Sequence, residues 1–269
     1  MKITYRRLPV GSNVPDTGWE NRHPAVLFRA AVVADLHDAR FDTILNSLRR
    51  IEPDLILVPG DLTENLTTES DKTTIRPGLD FLAGAVRIAP TFYAWGNHET
   101  GAGHVNLSKL AATPVPQNPI QPHWMQVIRS SGAVLLDQDY TVYHGLVLGG
   151  LRSGLLNPGR IPDTAWLDGF CHTPGYRILL CHQPEYFDRY LRNYPIDLIV
   201  SGHAHGGQWR LFGRGIFAPD QGLFPKYTSG VHEGRLVISR GLCNTVAPIP
   251  RLFNPKELVV IEVQKPGTA

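Results

Sequence analysis

The sequence predicts an α/β protein, and three observations predict it. Leu55-Ile56-Leu57-Val58 is an apolar run without polar alternation, as in a parallel strand covered on both faces, and it ends in Pro59-Gly60-Asp61. Residues 25–34 form a second apolar run, which ends in Asp35-Leu36-His37. Between the two, Ile44, Leu45, Leu48 and Ile51 recur at the spacing of one helix face over residues 43–51. The unit is therefore a βαβ crossover, with Asp35 and Asp61 at the same edge of a parallel sheet. Ligands gather in the crevice outside such edges.

Size and charge bound the reading. The 269 residues are enough for one large core and contain no Ser/Gly-rich, Pro-rich or strongly charged linker, so a single domain over residues 1–269 is expected. The 26 Lys and Arg against 24 Asp and Glu leave +2, too even for a polyanion-coating protein, and no nucleic-acid partner is expected. Residues 1–24 are polar and broken by Gly and Pro, and no later stretch approaches the ~18 apolar residues of a membrane span. Cys171, Cys181 and Cys243 are an odd count without a CxxC pair, which fits a reducing, cytoplasmic compartment; peripheral membrane contact stays open.

The remaining elements follow in order. Residues 62–77 read as a polar loop and residues 79–86 as a helix leading into a strand at 91–95, which stops at Gly96-Asn97-His98-Glu99. A Gly- and Pro-rich segment runs to Pro122, and a short helix covers 124–130. Brief strands at 134–136, 141–143 and 146–148 suggest an antiparallel addition, and 163–170 a helix. The strand 176–181 terminates in His182, Pro184 opens a helix to about residue 191, and the strand 196–200 stops at Ser201-Gly202-His203-Ala204-His205-Gly206-Gly207. Tail strands are expected near 208–212, 235–239 and 258–263.

Five strand ends thus carry Asp35 and His37, Asp61, Asn97 and His98, His182, and His203 with His205. On an extended backbone Asp35 and His37 project to one side and can share a cation. Carboxylate, carboxamide and imidazole without thiolate suit Mn, Fe or Zn. There are too many ligands for one tetrahedral ion, whereas two ions sharing a carboxylate account for them. Without compensating cations such buried groups would repel one another or stand unpaired. His23, His104, His123, His144, His172 and His232 fall in no motif block and read as structural.

The ordered blocks Asp-x-His, Gly-Asp, Gly-Asn-His-Glu, His and Gly-His-x-His resemble the calcineurin-like metallophosphoesterase superfamily over Asp35 to His205. The resemblance implies a four-layer α/β/β/α sandwich, two mixed sheets flanked by helices. It implies that Asp35, His37 and His205 hold one metal ion, that Asn97, His182 and His203 hold a second, and that Asp61 bridges them and is central to catalysis. His98 would be catalytic rather than a ligand, beside the scissile group. Many relatives have an acid, usually Asp, three residues after the bridging Asp to orient that histidine; Glu64 holds the position here, and Glu99 reads as structural.

The function so implied is a dinuclear metal-dependent phosphodiesterase or pyrophosphatase whose metal-bridging hydroxide attacks phosphorus in line. A phosphomonoesterase, including a protein phosphatase, is the alternative, and a scaffold without turnover is a third reading, disfavoured because no ligand is lacking. Gly222-Leu223-Phe224-Pro225-Lys226-Tyr227 and Arg251-Leu252-Phe253-Asn254-Pro255 resemble the bacterial branch that includes YkuE/YaeI-like phosphodiesterases, some of them implicated in cleaving lipid-linked or nucleotide-sugar pyrophosphates. Phe224 and Phe253 are expected as packed loop residues rather than an apolar lip for an acyl chain. Arg152, Arg210, Arg214, Lys226 and Arg240 are expected as ordinary surface charges rather than phosphate contacts.

Overall fold

The structure is a computed structural model describing residues 1–10, 17–19, 25–64, 66–67, 76–101, 120–153, 163–243 and 250–265. His23, His104 and most of the Gly- and Pro-rich segment before Pro122 lie outside the described residues.

The chain begins with β1 (Lys2–Pro9) and β2 (Val26–Val32), followed by helix α1 (Asp42–Ile51) and β3 (Leu55–Val58). Helix α2 (Pro77–Ala85), β4 (Thr91–Ala94), helix α3 (Pro122–Ser131) and β5 (Val134–Leu136) complete this half. Proline opens both α2 and α3, where its missing N–H has no helical partner to lose. In α1, Asp42 in the first turn and Arg49 and Arg50 in the last suit the helix dipole, and Ile44, Leu45, Leu48 and Ile51 form the buried face.

The second half contains β6 (Asp139–Tyr143), β7 (Leu146–Leu151), helix α4 (Leu167–His172), β8 (Tyr176–Cys181) and β9 (Leu198–Ser201). Two small ribbons follow, β10 (Arg210–Leu211) with β11 (Arg214–Gly215) and β12 (Phe217–Ala218) with β13 (Gly222–Leu223). β14 (Gly230–His232), β15 (Leu236–Ile238) and β16 (Glu257–Gln264) end the chain.

Two six-stranded mixed sheets result, ordered β1-β16-β2-β3-β4-β5 and β14-β15-β9-β8-β7-β6. Strands β2 to β5 run parallel to one another, as do β7, β8, β9 and β15. Within β3 the side chains alternate between two cores. Leu55 and Leu57 join Phe92, Ile178, Leu180 and Val200 between the sheets. Ile56 and Val58 face the opposite way, onto Leu48, Leu82 and their neighbours in α1 and α2. A third core lies on the far face of the second sheet, where Leu179 and Ile199 meet Phe170 of α4 and Phe187. The order is helix, sheet, sheet, helix, the expected four-layer sandwich. A strand buried on both sides has no polar face to show, which is why β3 reads as a continuous apolar run.

Three expectations are corrected. Residues 2–9 are a strand, paired with β16 over eight residues, although they read as irregular; an exposed edge strand has polar outward residues, such as Lys2 and Arg7, that dilute its pattern. β5 is parallel to β4, and only β6 and β7 form the anticipated antiparallel pair. The segment after Pro184 winds as a π-helical turn over Phe187–Leu191.

Candidate metal centre

Every candidate residue follows the carboxyl end of a strand. Asp35 and His37 follow β2, Asp61 follows β3, and Asn97 and His98 follow β4, all in the first sheet. His182 follows β8 and His203 and His205 follow β9, in the second. The two sheets therefore deliver their ligands to one place from opposite sides.

The local backbone is unusual. Asp35, His37, Asp61, His203 and His205 all have positive φ, between 44° and 66°. Non-glycine residues adopt this conformation at a cost on the order of 1–2 kcal/mol each, and it collects at functional sites. Asp35 and His37 thus converge through a left-handed turn, not through the extended backbone the sequence suggested. Close packing completes the turn: a Cβ on Gly96 would lie 2.1 Å from Asp61 Oδ1, so only glycine admits that carboxylate.

Asp61 stands at the centre. Its Oδ2 lies 3.0 Å from His182 Nε2, 3.7 Å from His37 Nε2 and 4.0 Å from His98 Nε2, while Oδ1 accepts the His98 backbone N–H at 2.9 Å. Asp35 Oδ1 accepts the His203 backbone N–H at 2.8 Å and lies 3.8 Å from His205 Nε2. His37 meets His98 edge-on at 4.4 Å between centroids and lies 5.2 Å from His205, and His182 lies 5.0 Å from His203.

The other ring nitrogens are held by groups that only accept hydrogen bonds. Pro59 O lies 3.0 Å from His182 Nδ1, Glu64 lies 3.0 Å from His37 Nδ1 and 2.7 Å from His98 Nδ1, and Asp220 lies 3.0 Å from His203 Nε2. Those nitrogens must carry the protons, so in neutral rings the lone pairs turn inward, toward carboxylates in the cases of His37, His98 and His182. Lone pairs facing carboxylates repel unless a proton or a metal ion lies between them. Consistently, Asp35 Oδ2, His37 Nε2, Asn97 Oδ1 and His182 Nε2 are buried without a hydrogen-bond partner. The His182 Nε2 to Asp61 Oδ2 approach is close but not aligned as a hydrogen bond. Two groups with ligand atoms close enough for one ion, Asp35-His37-Asp61 and Asp61-His182-His203, share Asp61. The donor set fits a pair of metal ions.

Electrostatics give the same picture. Burial opposes ionisation of Asp61, but the charges of His182 and His98 outweigh it and hold the carboxyl well below the usual range. For Asp35, burial dominates and raises it. Burial opposes protonation of His98, yet Asp61 and Glu64 lift it to about 9, and the Asp220 hydrogen bond lifts His203 to about 9 against the same penalty. His205, buried beside His37 and Arg251, is held well below its ordinary value.

Further residues brace the site, of which Glu99 alone is singled out by the sequence, as structural. Glu99 accepts the backbone N–H of Asp61, Leu62, Thr63 and Gly96 and the Tyr93 hydroxyl, and so ties the β3 exit to the β4 exit. Asp220, from a turn far along the chain, holds His203 and accepts from Gln183. Cys243 Sγ and Arg251 Nη2 flank His205 Nδ1 at 3.6 and 3.4 Å. Of the expected surface cations, Arg152 pairs with Asp137 and Lys226 with Asp188. Arg240 lies 3.6 Å from Glu257, and Arg210 donates to the Gly206 carbonyl. The expectation for Phe224 and Phe253 is overturned: they are 75% and 73% exposed.

Fold and site define a four-layer α/β/β/α protein with a candidate metal centre. The model of the calcineurin-like phosphoesterase family matches residues 28–207, more than half of the chain and all five motif blocks. The chain belongs to that family. Relatives include an uncharacterized metallophosphoesterase of Campylobacter jejuni, 29% identical over 86% of this chain and 56% of its own. Phosphodiesterase YaeI of Escherichia coli is 27% identical over 81% of this chain and 76% of its own. The uncharacterized metallophosphoesterase YkuE of Bacillus subtilis is 26% identical over 80% and 69%. The chain thus spans little more than half the length of the Campylobacter relative.

Proposed function

We propose that the protein is a dinuclear metal-dependent phosphodiesterase or pyrophosphatase. Asp35, His37 and His205 would hold one cation, Asn97, His182 and His203 the other, with Asp61 serving both. The sharing of Asp61 between two three-residue clusters carries this reading. Mn, Fe and Zn all suit the donors. Such a pair, when bound, lowers the pKa of water toward neutrality and neutralises phosphoryl oxygens for in-line attack.

The chain supplies the rest. His98 is the most open of the site imidazoles, its side chain 19% exposed against 10% or less for the other four. Glu64 holds its Nδ1, Nε2 lies 4.0 Å from Asp61 Oδ2, and Asp61 favours its protonated form. These features support a role for His98 in donating a proton to the departing oxygen. Glu64 clamps His37 and His98 with one oxygen each, coupling the position of a ligand to that of the proton donor.

Similarity to YaeI, itself called a phosphodiesterase, favours diesters over monoesters. A lipid-linked or nucleotide-sugar pyrophosphate is the substrate class proposed. Among the described residues no helix is long and apolar enough to cross a membrane, so a lipid-linked substrate would be met at a membrane surface. The test is the rate of the Mn-, Fe- or Zn-loaded protein on bis-p-nitrophenyl phosphate and on p-nitrophenyl phosphate. Faster diester cleavage is expected; faster monoester cleavage replaces this reading with a phosphomonoesterase, and no hydrolysis of either with metal bound rejects both.

A further inference from the structure

Among the described residues the four most exposed large apolar side chains all lie in the ribbons that follow His205 and in the segment 250–256. Phe212 is fully exposed, and Leu223, Phe224 and Phe253 are 69%, 75% and 73% exposed. Phe212, Phe224 and Phe253 moreover hold left-handed backbone, with φ of 48°, 52° and 53°. A bulky residue in that conformation is unfavourable, and an exposed one recovers no burial in exchange. Folding alone accounts for neither property.

These residues lie on connected backbone, with Phe212 in the turn between β10 and β11. Trp209 and Leu252 form a parallel bridge, Phe217 pairs with Leu223, and the Phe224 N–H donates to Ile216 O, whose own N–H donates to Trp209 O. The surface is built onto the metal centre, since Asn254 donates to the carbonyls of His205 and Gln208, and Asp220 between β12 and β13 holds His203. Its charge is one-sided. Residues 208–227 and 250–256 contain Arg210, Arg214, Lys226, Arg251 and Lys256 against Asp220 alone, in a chain whose net charge is only +2. Asp220 is turned inward onto His203, its side chain 16% exposed, while Arg214 is exposed and has no carboxylate within ion-pair distance among the described residues.

We propose that this ribbon surface docks the protein onto an anionic lipid bilayer, with Phe212, Phe224 and Phe253 entering the interface and Arg214 meeting headgroup phosphates. Protruding aromatics beside the exposed Arg214 suit that boundary, where rings bury and cations meet negative lipid. A second copy of the chain fits less well, because a two-fold pairing of the face would set its cations against themselves. The inference deepens the reading of a lipid-linked substrate and rests on it for what docking would deliver.

The test is co-sedimentation of the metal-loaded protein with vesicles of phosphatidylglycerol and phosphatidylethanolamine, and with phosphatidylcholine vesicles. Binding to the anionic vesicles is expected to exceed that to phosphatidylcholine. It should fall about tenfold or more when Phe212, Phe224 and Phe253 are changed to Ser, as expected for removing three rings from an apolar interface. Arg214→Glu should weaken binding to the anionic vesicles alone. Both variants should cleave bis-p-nitrophenyl phosphate at the wild-type rate, which also establishes that they fold. No sedimentation with anionic vesicles, or equal sedimentation of the triple variant, overturns the proposal. So does a wild-type dimer, by analytical ultracentrifugation, that the triple variant converts to monomer. Vesicle binding without diester cleavage would leave the docking face standing and sink the phosphodiesterase reading instead.

Discussion

Asp61 Oδ2 lies 3.0 Å from His182 Nε2 although the two residues leave different sheets. The contact joins the halves of the site, and the shared cluster membership of Asp61 gives it a distinct mutational signature. Asp61→Asn should remove a large part of both ions, by elemental analysis after dialysis. His205→Ala and His182→Ala should each release mainly one, with affinity at that position falling about 10- to 100-fold or more. Equal loss of both ions in all three variants would contradict the assignment of separate positions.

His98 makes a different prediction. His98→Ala should retain the metal content of the wild type while turnover of the diester falls roughly 10²- to 10⁴-fold, the range for losing a positioned proton donor. The loss should be greatest for substrates with poor leaving groups, which need the proton most. Departure of metal from this variant would instead place His98 among the ligands.

The pH dependence has opposite signs with and without metal. His98 and His203 are both lifted to about 9 from an ordinary 6.5. A group raised on folding contributes stability in full below its unfolded value and loses it as pH rises through the folded one. The chelated protein should therefore lose stability between pH 6.5 and about 9, by on the order of 3 kcal/mol for each histidine, with a matching fall in melting temperature. Metal uptake should strengthen over the same window for His203, since the ion and the proton compete for its ring. Thermal melts of chelated and Mn-loaded protein check both arms, and a chelated melting temperature that rises through this window would reverse the assigned sign.

Glu99 should behave as structure rather than chemistry. Its carboxylate serves four backbone N–H groups and a tyrosine hydroxyl while fully buried. Glu99→Gln presents an amide NH₂ where donors converge, and Glu99→Ala leaves all five without a partner. Destabilisation of about 3–5 kcal/mol is expected for the alanine variant, measured by urea unfolding of the metal-free protein. Stability within the error of the wild type would show that water replaces the carboxylate.

Much of the site was legible because each ligand stands directly after an apolar strand. The runs before Asp61, His182 and His203 have no polar alternation, and Gly60 and Gly202 stand directly before Asp61 and His203. The four-layer order came from the family resemblance, and the three separate cores bear it out. β1 was not legible, since an edge strand with outward Lys and Arg lacks the contrast that periodicity needs. The direction of β5 was equally hidden, because three apolar residues do not say which neighbour they join.

The sequence by itself determined which residue types stand at strand ends, and hence the family and its metal chemistry, because those patterns are local. Only the tertiary structure decided which ring nitrogen each histidine turns inward, through Pro59, Glu64 and Asp220. It alone showed that Glu99 braces the strand exits and that Phe212, Phe224 and Phe253 stand in solvent. The physical reason is that a hydrogen-bond partner or a burying neighbour is fixed by where the chain returns. Asp220 reaches His203 and Pro59 reaches His182 only after the sheets have packed.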